Sequence, residues 1–338
     1  MPSVRPNFSH LLSLSGPLGT FEHAEHTVAR PEHGYCTDDV ARALIVATRE
    51  PYPDDDVVEL ARSSLRFLQA AQSANGHFRN RRRSTGTWFG ASTSDDWWGR
   101  ALWALGTTIA RSNDPELHGP AHELFERGSR ASSSWPRSNA FATLGAVEVL
   151  AGDPTNEGAL RLINRATAVL DRREISAQWR WPEERLWYAN AALPEALMAT
   201  GSALGDDRLV HDGLRQLKWL LNRESRSGHL SVTPAGGRGP NSAPRRFDQQ
   251  PIEVAAMSDA CIRAFELTGN AEWIEGHDLA VRWFMGHNDV GALMYDPRTG
   301  GGYDGLGAHG ANLNQGAEST IALLSTLQNA ERFAVATS

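Results

Sequence analysis

Two pairs of adjacent carboxylates stand where apolar, helix-like runs begin. Asp38 and Asp39 open the run TDDVARALIVATRE, and Asp95 and Asp96 open SDDWWGRALWALG. One acidic side chain is enough to cap a helix or to stabilise its dipole. Two neighbouring carboxylates raise each other's pKa, and one of them can then stay protonated near neutral pH and act as a general acid. Each pair therefore fits either a structural or a catalytic role.

Two further acids, Glu253 and Glu318, stand among small apolar residues. An unpaired carboxylate there would be costly to bury unless it faces a cavity or pairs with an arginine such as Arg42 or Arg100. A reaction that combines a proton donor with a second carboxylate requires two carboxyl groups in one site. We expect the catalytic carboxylates among Asp38, Asp39, Asp96 and Glu318, with Asp95 and Glu253 as further candidates.

Aromatic residues are concentrated near the same predicted helix starts and loops. The chain has 11 Trp, and a ring at a loop mouth either stacks on the C–H face of a sugar or plugs a helix end. Glu183 and Asp304 lie beside aromatic residues, although Asp304 precedes Gly305 and also fits a turn. The expected substrate-binding residues are His33, Tyr35, Trp97, Trp98, Arg100, Trp181, Glu183, Asn190, Gln249, Gln250, Tyr303, Asp304, Asn314 and Gln315.

Many of these residues belong to a unit that recurs six times, in which a polar cluster opens a small-residue, apolar helix that ends at a turn, and the others lie in the loops between units. The units span 37–50, 94–110, 137–152, 188–201, 248–269 and 312–327. Amphipathic segments with helical periodicity alternate with them, at 54–72, 114–130, 154–173, 206–223 and 270–286. Long Gly-rich and Pro-rich connections, which predict short hairpins, all follow the outer segments, at 74–94, 174–187, 224–247 and 288–313.

The pattern predicts an all-α fold, an (α/α)6 toroid with inner and outer helices and with the polar helix starts converging on one face. We expect one domain over 1–338, with an N-terminal arm over about 1–32 and a C-terminal tail over about 330–338.

The composition limits the other function classes. The chain is 41% hydrophobic and 22% charged, with a net charge of −7, which is typical of a globular protein and argues against a nucleic-acid partner. The sequence has two cysteines and shows neither a signal-like apolar run nor a membrane-spanning run. These features predict a cytoplasmic protein. The sequence lacks a phosphate-binding Gly-rich loop and a zinc-protease motif, and its histidines form no second dense cluster, so we expect no cofactor and no metal.

Four motifs resemble a bacterial six-hairpin family of the (α/α)6 glycosidase-like superfamily: EHGYCTDDVARAL, DDWWGRALWALG, FDQQPIEVAAMSDA and YDGL followed by NLNQGAEST. The resemblance covers roughly residues 8 to 330. It implies a toroid fold, a saccharide-related role and a functional link to a glycosyltransferase, to which members are often fused.

The leading hypothesis is a carbohydrate-active enzyme, a glycoside hydrolase that uses paired carboxylates on an oligosaccharide or a glycan end. A sugar epimerase or isomerase would instead need histidine bases from His33, His229 and His309. A phosphorylase would use Arg245 and Arg246 to grip phosphate. A non-catalytic saccharide-binding partner of a glycosyltransferase is the fourth alternative.

Overall fold

The computed structural model describes residues 5–172, 175–242 and 246–336. The chain folds into two compact units. The N-terminal unit is Phe8–Leu170, and the C-terminal unit is Asp171–Ser338 together with Met1–Asn7.

The N-terminal unit consists mainly of three antiparallel helical hairpins. Its helices are α1 (Ser9–Ser13), α2 (Thr37–Arg49), α3 (Asp55–Ala71), α4 (Asp96–Arg111), α5 (Pro115–Gly128), α6 (Pro136–Gly152) and α7 (Glu157–Leu170). The hairpins pair α2 with α3, α4 with α5 and α6 with α7, and α4 also packs against both α2 and α6.

Short strands connect these hairpins. Two β-hairpins, β1 (Ser15–Gly16) with β2 (Gly19–Thr20) and β3 (Ala24–Glu25) with β4 (Val28–Ala29), precede a 3-10 turn at Pro31–His33. A three-stranded antiparallel sheet then joins β5 (Tyr35–Cys36), β6 (Phe78–Arg82) and β7 (Trp88–Thr93) in that order. The segment predicted as an arm over about 1–32 thus contains ordered hairpins.

The inner helices α4 and α6 approach each other at glycine positions. Every residue of α4 from Trp98 to Thr108 is buried. A methyl group on Gly106 would lie 2.1 Å from the carbonyl oxygen of Gly145, and one on Gly99 would lie 2.2 Å from that of Ser138. Only glycine lets the two backbones come this close, which explains the Ala-rich and Gly-rich character of the inner runs.

Helix capping distinguishes outer helices from inner ones. The outer helices α3 and α5 begin at side chains that accept backbone N–H bonds, Asp54 from Val57 and Asp114 from Glu116. Among the described residues, the N-cap side chains of the inner helices α2, α4 and α6 accept no backbone N–H bond. The acids at the inner starts are therefore not needed as N-caps.

The C-terminal unit follows the same plan. Its helices are α8 (Ala192–Leu204), α9 (Asp207–Arg223), α10 (Pro251–Thr268), α11 (Ala271–Phe284) and α12 (Ala317–Ala336). The inner helix α8 pairs with α9 and the inner helix α10 with α11, while α12 packs on α10 and α11. Two β-hairpins lie in its loops, β8 (Ser225–Arg226) with β9 (His229–Leu230) and β10 (Gly305–Gly307) with β11 (Gly310–Asn312).

Helix α12 runs further than the sequence predicted. We expected a tail from about residue 330, but the helix continues to Ala336. Phe333 extends its apolar face, with its ring 5.2 Å from that of Phe265 in α10. Within the described residues, every helix is too short or too polar to cross a membrane.

Candidate active site

Asp39, one of the two acids in the first turn of α2, turns into the core of the N-terminal unit. Only 2% of the residue is exposed. Its Oδ1 accepts a hydrogen bond from Arg42 Nη2 at 2.6 Å, and its Oδ2 accepts one from the Cys36 thiol at 3.0 Å. A carboxylate held in this way neutralises a nearly buried arginine. Asp39 was expected among the catalytic residues, but its contacts give it a structural role instead.

Asp38 lies one residue earlier, and the helical rotation of about 100° per residue points it in a different direction. Its side chain remains 21% exposed, and its Oδ1 lies 3.4 Å from Arg100 Nε. Burial outweighs the attraction of Arg100 and Arg42, and the nearby carboxylates of Asp39 and Asp96 act in the same direction as burial, so that the pKa of Asp38 is raised to about 6. Asp38 can therefore hold a proton close to neutral pH while staying accessible.

Arg100 is fixed beside Asp38 by an aromatic stack. The guanidinium carbon lies 3.9 Å from the centroid of the Phe141 ring, and that ring stacks on Trp103 at 6.0 Å. Only 4% of Arg100 is exposed. Arg100 was expected to bind substrate, but it is almost fully buried, with its guanidinium group facing the Asp38 carboxyl.

Asp96, the first residue of α4, is the second carboxyl of this cluster. It is half-buried, and its Oδ1 accepts a hydrogen bond from Ser138 Oγ at 2.8 Å. The close contact at Gly99 holds Ser138 in place, since Ser138 lies on the facing turn of α6. The predictions did not include Ser138; its place at the start of an inner run was the only available signal.

The neighbours of Asp96 have separate roles. Asp95 is at the N-cap position of α4 and accepts a hydrogen bond from Thr93 Oγ1 at 2.6 Å. Trp97 is half-buried, and its Nε1 donates to the Phe78 carbonyl at 2.8 Å. Trp98 has no exposed surface, and its Nε1 donates to the Gly128 carbonyl at 3.2 Å. Trp98 therefore packs in the core, contrary to the expected sugar contact.

The residues expected at the cavity rim before α2 are separated by burial. His33 is exposed in the 3-10 turn, with its ring edge-on to His23 at 4.9 Å. Tyr35 is only 4% exposed and stacks on Phe21 at 4.6 Å; burial raises the pKa of its hydroxyl. Tyr35 belongs to the core, and His33 alone stays accessible.

A potential metal cluster lies next to Asp39. One ligand atom each from Glu22, Cys36 and Asp39 lies within 4.8 Å of the others. Burial, helped by the Asp39 carboxylate, raises the pKa of the Cys36 thiol well above its usual value, whereas a metal needs the thiolate. Glu22 is paired with Arg81. A protonated thiol and two paired carboxylates do not suit a cation.

In the C-terminal unit, Glu253 supports a backbone turn. It is 2% exposed, and its carboxylate accepts hydrogen bonds from the Ala189 N–H, from the Asn190 N–H at 3.2 Å and from Asn190 Nδ2 at 3.0 Å. Ala189 adopts a φ of 44°, which is unfavourable for a residue with a side chain. Glu253 and the fully buried Asn190 are thus structural, in contrast to the catalytic and binding roles expected for them.

Gln249 is part of a buried polar network. Its Oε1 accepts from Trp283 Nε1 at 3.1 Å, and its Nε2 donates to Asp289 Oδ2 at 2.6 Å. His229 Nε2 lies 3.3 Å from Asp289 Oδ1. Burial alone would raise the pKa of Asp289, but hydrogen bonds, including those from Gln249 and His229, lower it. Gln249 is fully buried and cannot contact a ligand directly, whereas Gln250, the N-cap residue of α10, is half-buried.

Five expected residues lie around the start of α12. Asp304 Oδ1 accepts from the Gly316 N–H at 2.7 Å, and the Asp304 N–H donates to the Asn314 carbonyl at 2.9 Å. Gln315 is 3% exposed and accepts from Thr299 Oγ1 at 2.9 Å, so it is part of the packing rather than an open binding group. The half-buried members are Tyr303, Asp304, Asn314 and, in the first turn of α12, Glu318.

Trp181 and Glu183 contact each other in the loop before α8. Trp181 has no exposed surface, its Nε1 donates to Glu183 Oε2 at 3.3 Å, and its ring stacks on Trp219 at 6.0 Å. Trp181 was expected to contact substrate, but it is a core residue. Glu183 is half-buried and also accepts a hydrogen bond on its carbonyl from Trp179 Nε1 at 2.7 Å.

Solved structures of the same fold align with nearly the whole chain. A sugar epimerase from a ruminal bacterium matches with a TM-score of 0.71 at 13% identity, covering 95% of each chain. The cellobiose 2-epimerase from Spirochaeta thermophila matches with a TM-score of 0.68 at 13% identity, covering 97% of this chain and 94% of its own. A cellulase of C. cellulolyticum matches with a TM-score of 0.62 at 9% identity, covering 93% and 87%.

No protein-family model matches the chain, and no curated protein matches it. At 9–13% identity the structural likeness shows the fold. The all-α, six-hairpin toroid class predicted from the repeats is thereby confirmed.

Proposed function

We propose that the protein is a glycoside hydrolase in which Asp38 gives its proton to the leaving oxygen and Asp96 is the second carboxylate. The observation that carries the proposal is the state of Asp38: an accessible carboxyl, not used as a cap, whose pKa is raised to about 6. Solvation and pairing normally keep an aspartate ionised well below this pH, so the environment of Asp38 is typical of a general acid. The shared fold with a cellulase and with sugar epimerases supports a carbohydrate substrate.

The two carboxyls divide the chemistry between them. The Asp38 proton passes to the glycosidic oxygen as the bond to the anomeric carbon breaks, which leaves Asp38 ionised beside Arg100. Asp96, oriented by Ser138, either takes a proton from the attacking water or bonds to the anomeric carbon. The first route inverts the anomeric configuration and the second retains it, so the anomer first released distinguishes them.

The test is product analysis after incubation with a panel of oligosaccharides, with and without phosphate. We expect release of a smaller sugar by the native protein and none by Asp38→Asn. Asp55→Asn is the matched control, because Asp55 is also a first-turn acid but lies exposed on an outer helix. The rate should fall as pH rises through about 6, since the acid loses its proton. Full activity of Asp38→Asn would refute the proposal, and a strict need for phosphate would indicate a phosphorylase.

A sugar epimerase or isomerase is the second candidate, and the contact between His229 and Asp289 favours it. A carboxylate 3.3 Å from a histidine nitrogen orients the ring, as a proton-transferring base requires. His229→Asn should then abolish conversion, with Asp38→Asn still active. Incubation in D2O should also place deuterium on carbon, which hydrolysis does not do.

A non-catalytic role is the remaining alternative. Saccharide binding without turnover, unchanged in Asp38→Asn, would favour a binding partner of a glycosyltransferase. The glycosyltransferase link, the cytoplasmic location and the single-domain organisation stay predictions.

A further inference from the structure

Four arginines line one pocket of the C-terminal unit. The pocket has a volume of about 250 Å³, and its lining includes Arg223, Arg226, Arg238 and Arg246, with Ser225 and Ser231 between them. Arg223 ends α9, and Arg226 lies in β8. The backbone of Arg238 is paired with Leu186 in both directions, at 2.8 and 2.9 Å. Secondary structure and backbone pairing therefore fix three of the four positions.

None of these four arginines is held in an ion pair in the part of the chain that the structure describes. Within the described residues, no carboxylate oxygen lies within 4 Å of any of the four guanidinium groups. By contrast, Arg208 in α9 bridges to Asp171 at 2.7 Å. The Nε atoms of Arg223 and Arg238 are buried without a hydrogen-bond partner. A buried charged donor without an acceptor is costly, so the arrangement is suited to a ligand that supplies acceptors.

Arg223 is held rigidly for this purpose. Its guanidinium carbon lies 5.0 Å from the Trp179 ring centroid and 5.6 Å from that of Trp219. Burial and the charge of Arg238 lower the pKa of Arg223. Two cations that repel each other across a shared space bind an anion more strongly than either does alone, because the anion relieves that repulsion.

Glu224, which follows Arg223 in the chain, offsets the charges of Arg223 and Arg238 only in part. Glu224 is 2% exposed, and its Oε1 accepts from the Thr233 N–H at 3.0 Å and from Thr233 Oγ1 at 2.5 Å. Its carboxylate is thus used by the loop backbone. Burial raises the pKa of Glu224 to about 7, so that a sizeable fraction of it is neutral at physiological pH.

We propose that this pocket binds an oxyanion, namely a phosphate, sulfate or carboxylate group, either free or carried by the saccharide. Guanidinium groups present paired N–H donors that match two oxygens of such a group. The assignment to an anionic saccharide rests on the proposed function, whereas oxyanion binding itself does not. Arg246, expected to grip phosphate, is part of the pocket, and Arg245 lies outside the described residues.

Isothermal titration with inorganic phosphate, sulfate, glucuronate and glucose 6-phosphate tests the proposal, with glucose as the uncharged control. We expect one site with a dissociation constant of about 1 mM or lower, weakened by added NaCl. Arg238→Gln should weaken binding at least tenfold. Arg246→Gln, at an exposed loop position that keeps folding intact, should weaken it several-fold, whereas Arg208→Gln should bind like the native protein.

The titrations distinguish an anion carried by the saccharide from a free anion, and they test the pocket independently of the proposed hydrolase activity. Tighter binding of the acidic sugars than of inorganic phosphate would identify the acid group as part of the saccharide, and equal binding would identify free phosphate as the ligand. Absence of binding by all four oxyanions at about 10 mM, or native affinity in both pocket variants, would overturn the pocket assignment. Hydrolysis of neutral oligosaccharides would be unaffected by that outcome and would still test Asp38.

Discussion

Replacing Asp38 with asparagine is expected to stabilise the protein at neutral pH. The pKa of this carboxyl is about 6 in the folded protein, against 3.8 for an unperturbed aspartate. Since one pKa unit corresponds to about 1.4 kcal/mol, keeping Asp38 ionised costs roughly 3 kcal/mol of folding free energy at pH 7. This cost already includes the attraction of Arg100. Asparagine has nearly the same shape and carries no charge, so Asp38→Asn should recover much of it.

The sign of the predicted change in the free energy of unfolding follows from how Asp38 titrates in the folded and unfolded states. Between pH 3.8 and about 6 the folded protein binds more protons at Asp38 than the unfolded chain does, so the stability contributed by this group falls as pH rises through that window. The penalty is complete above pH 6 and absent well below pH 3.8. The advantage of Asp38→Asn should therefore shrink from roughly 3 kcal/mol at pH 7 to about 0.5 kcal/mol at pH 4.

Asp39→Asn is the matched control, because the same substitution one residue later should have the opposite effect. It removes the carboxylate that pairs with Arg42 at 2.6 Å, and breaking a buried ion pair by removing one partner costs about 3 kcal/mol or more. Urea unfolding of the native protein and both variants at pH 7 and pH 4 gives the free energies of unfolding. Destabilisation by Asp38→Asn at pH 7, or a gain that does not depend on pH, would refute the account of Asp38.

Two further predictions concern the positioning of the site. Arg100→Leu removes the cation nearest to Asp38 and should raise the pKa of the Asp38 carboxyl above about 7 in a carbon-13 NMR titration. Arg49→Leu, which removes an arginine packed 5.5 Å from the Trp103 ring centroid, should leave the pKa of Asp38 unchanged. An equal effect of the two substitutions would contradict the role of Arg100. Gly106→Ala should lose about 2 kcal/mol or more in thermal unfolding because the helices must separate, whereas Gly152→Ala, with open space around it in the last turn of α6, should gain up to about 1 kcal/mol. Similar effects of the two glycine substitutions would argue against the close helix contact.

The repeat and the fold class were predictable from the sequence because they depend on periodicity. Six apolar runs opened by polar clusters, each followed by an amphipathic segment except the last, are enough to distinguish inner helices from outer ones. The inner runs at 94–110 and 137–152 match α4 and α6 to within two residues at each end. Three of the four connections predicted to form short hairpins contain one, at β6 and β7, β8 and β9, and β10 and β11, whereas the described residues 175–187 form no strand.

Residue roles within a run were less predictable, because neighbours of the same type point in different directions. Asp38 and Asp39, like Trp97 and Trp98, differ only in where the helix directs them, and the sequence does not contain that rotation. The contacts that assign the roles come from distant residues, such as Arg100 for Asp38 and Gly128 for Trp98. Of the oxyanion pocket only Arg246 was expected to bind an anion, because the contacts that orient Arg223 and Arg238 come from Trp179 and Leu186, more distant in the chain.

Outer and inner helices differ in how their N-termini are capped, and this difference has an evolutionary consequence. Outer helices rely on their own capping side chains, so mutation there lowers stability. Inner helices α2, α4 and α6 gain stability from packing further along their length, and their N-cap side chains form no capping bond. A partly exposed residue at such a start, like Asp38, can therefore be exchanged at little cost to folding, whereas Asp39, which pairs with Arg42, cannot. Selection for activity and selection for the scaffold thus act on neighbouring residues of the same helix turn.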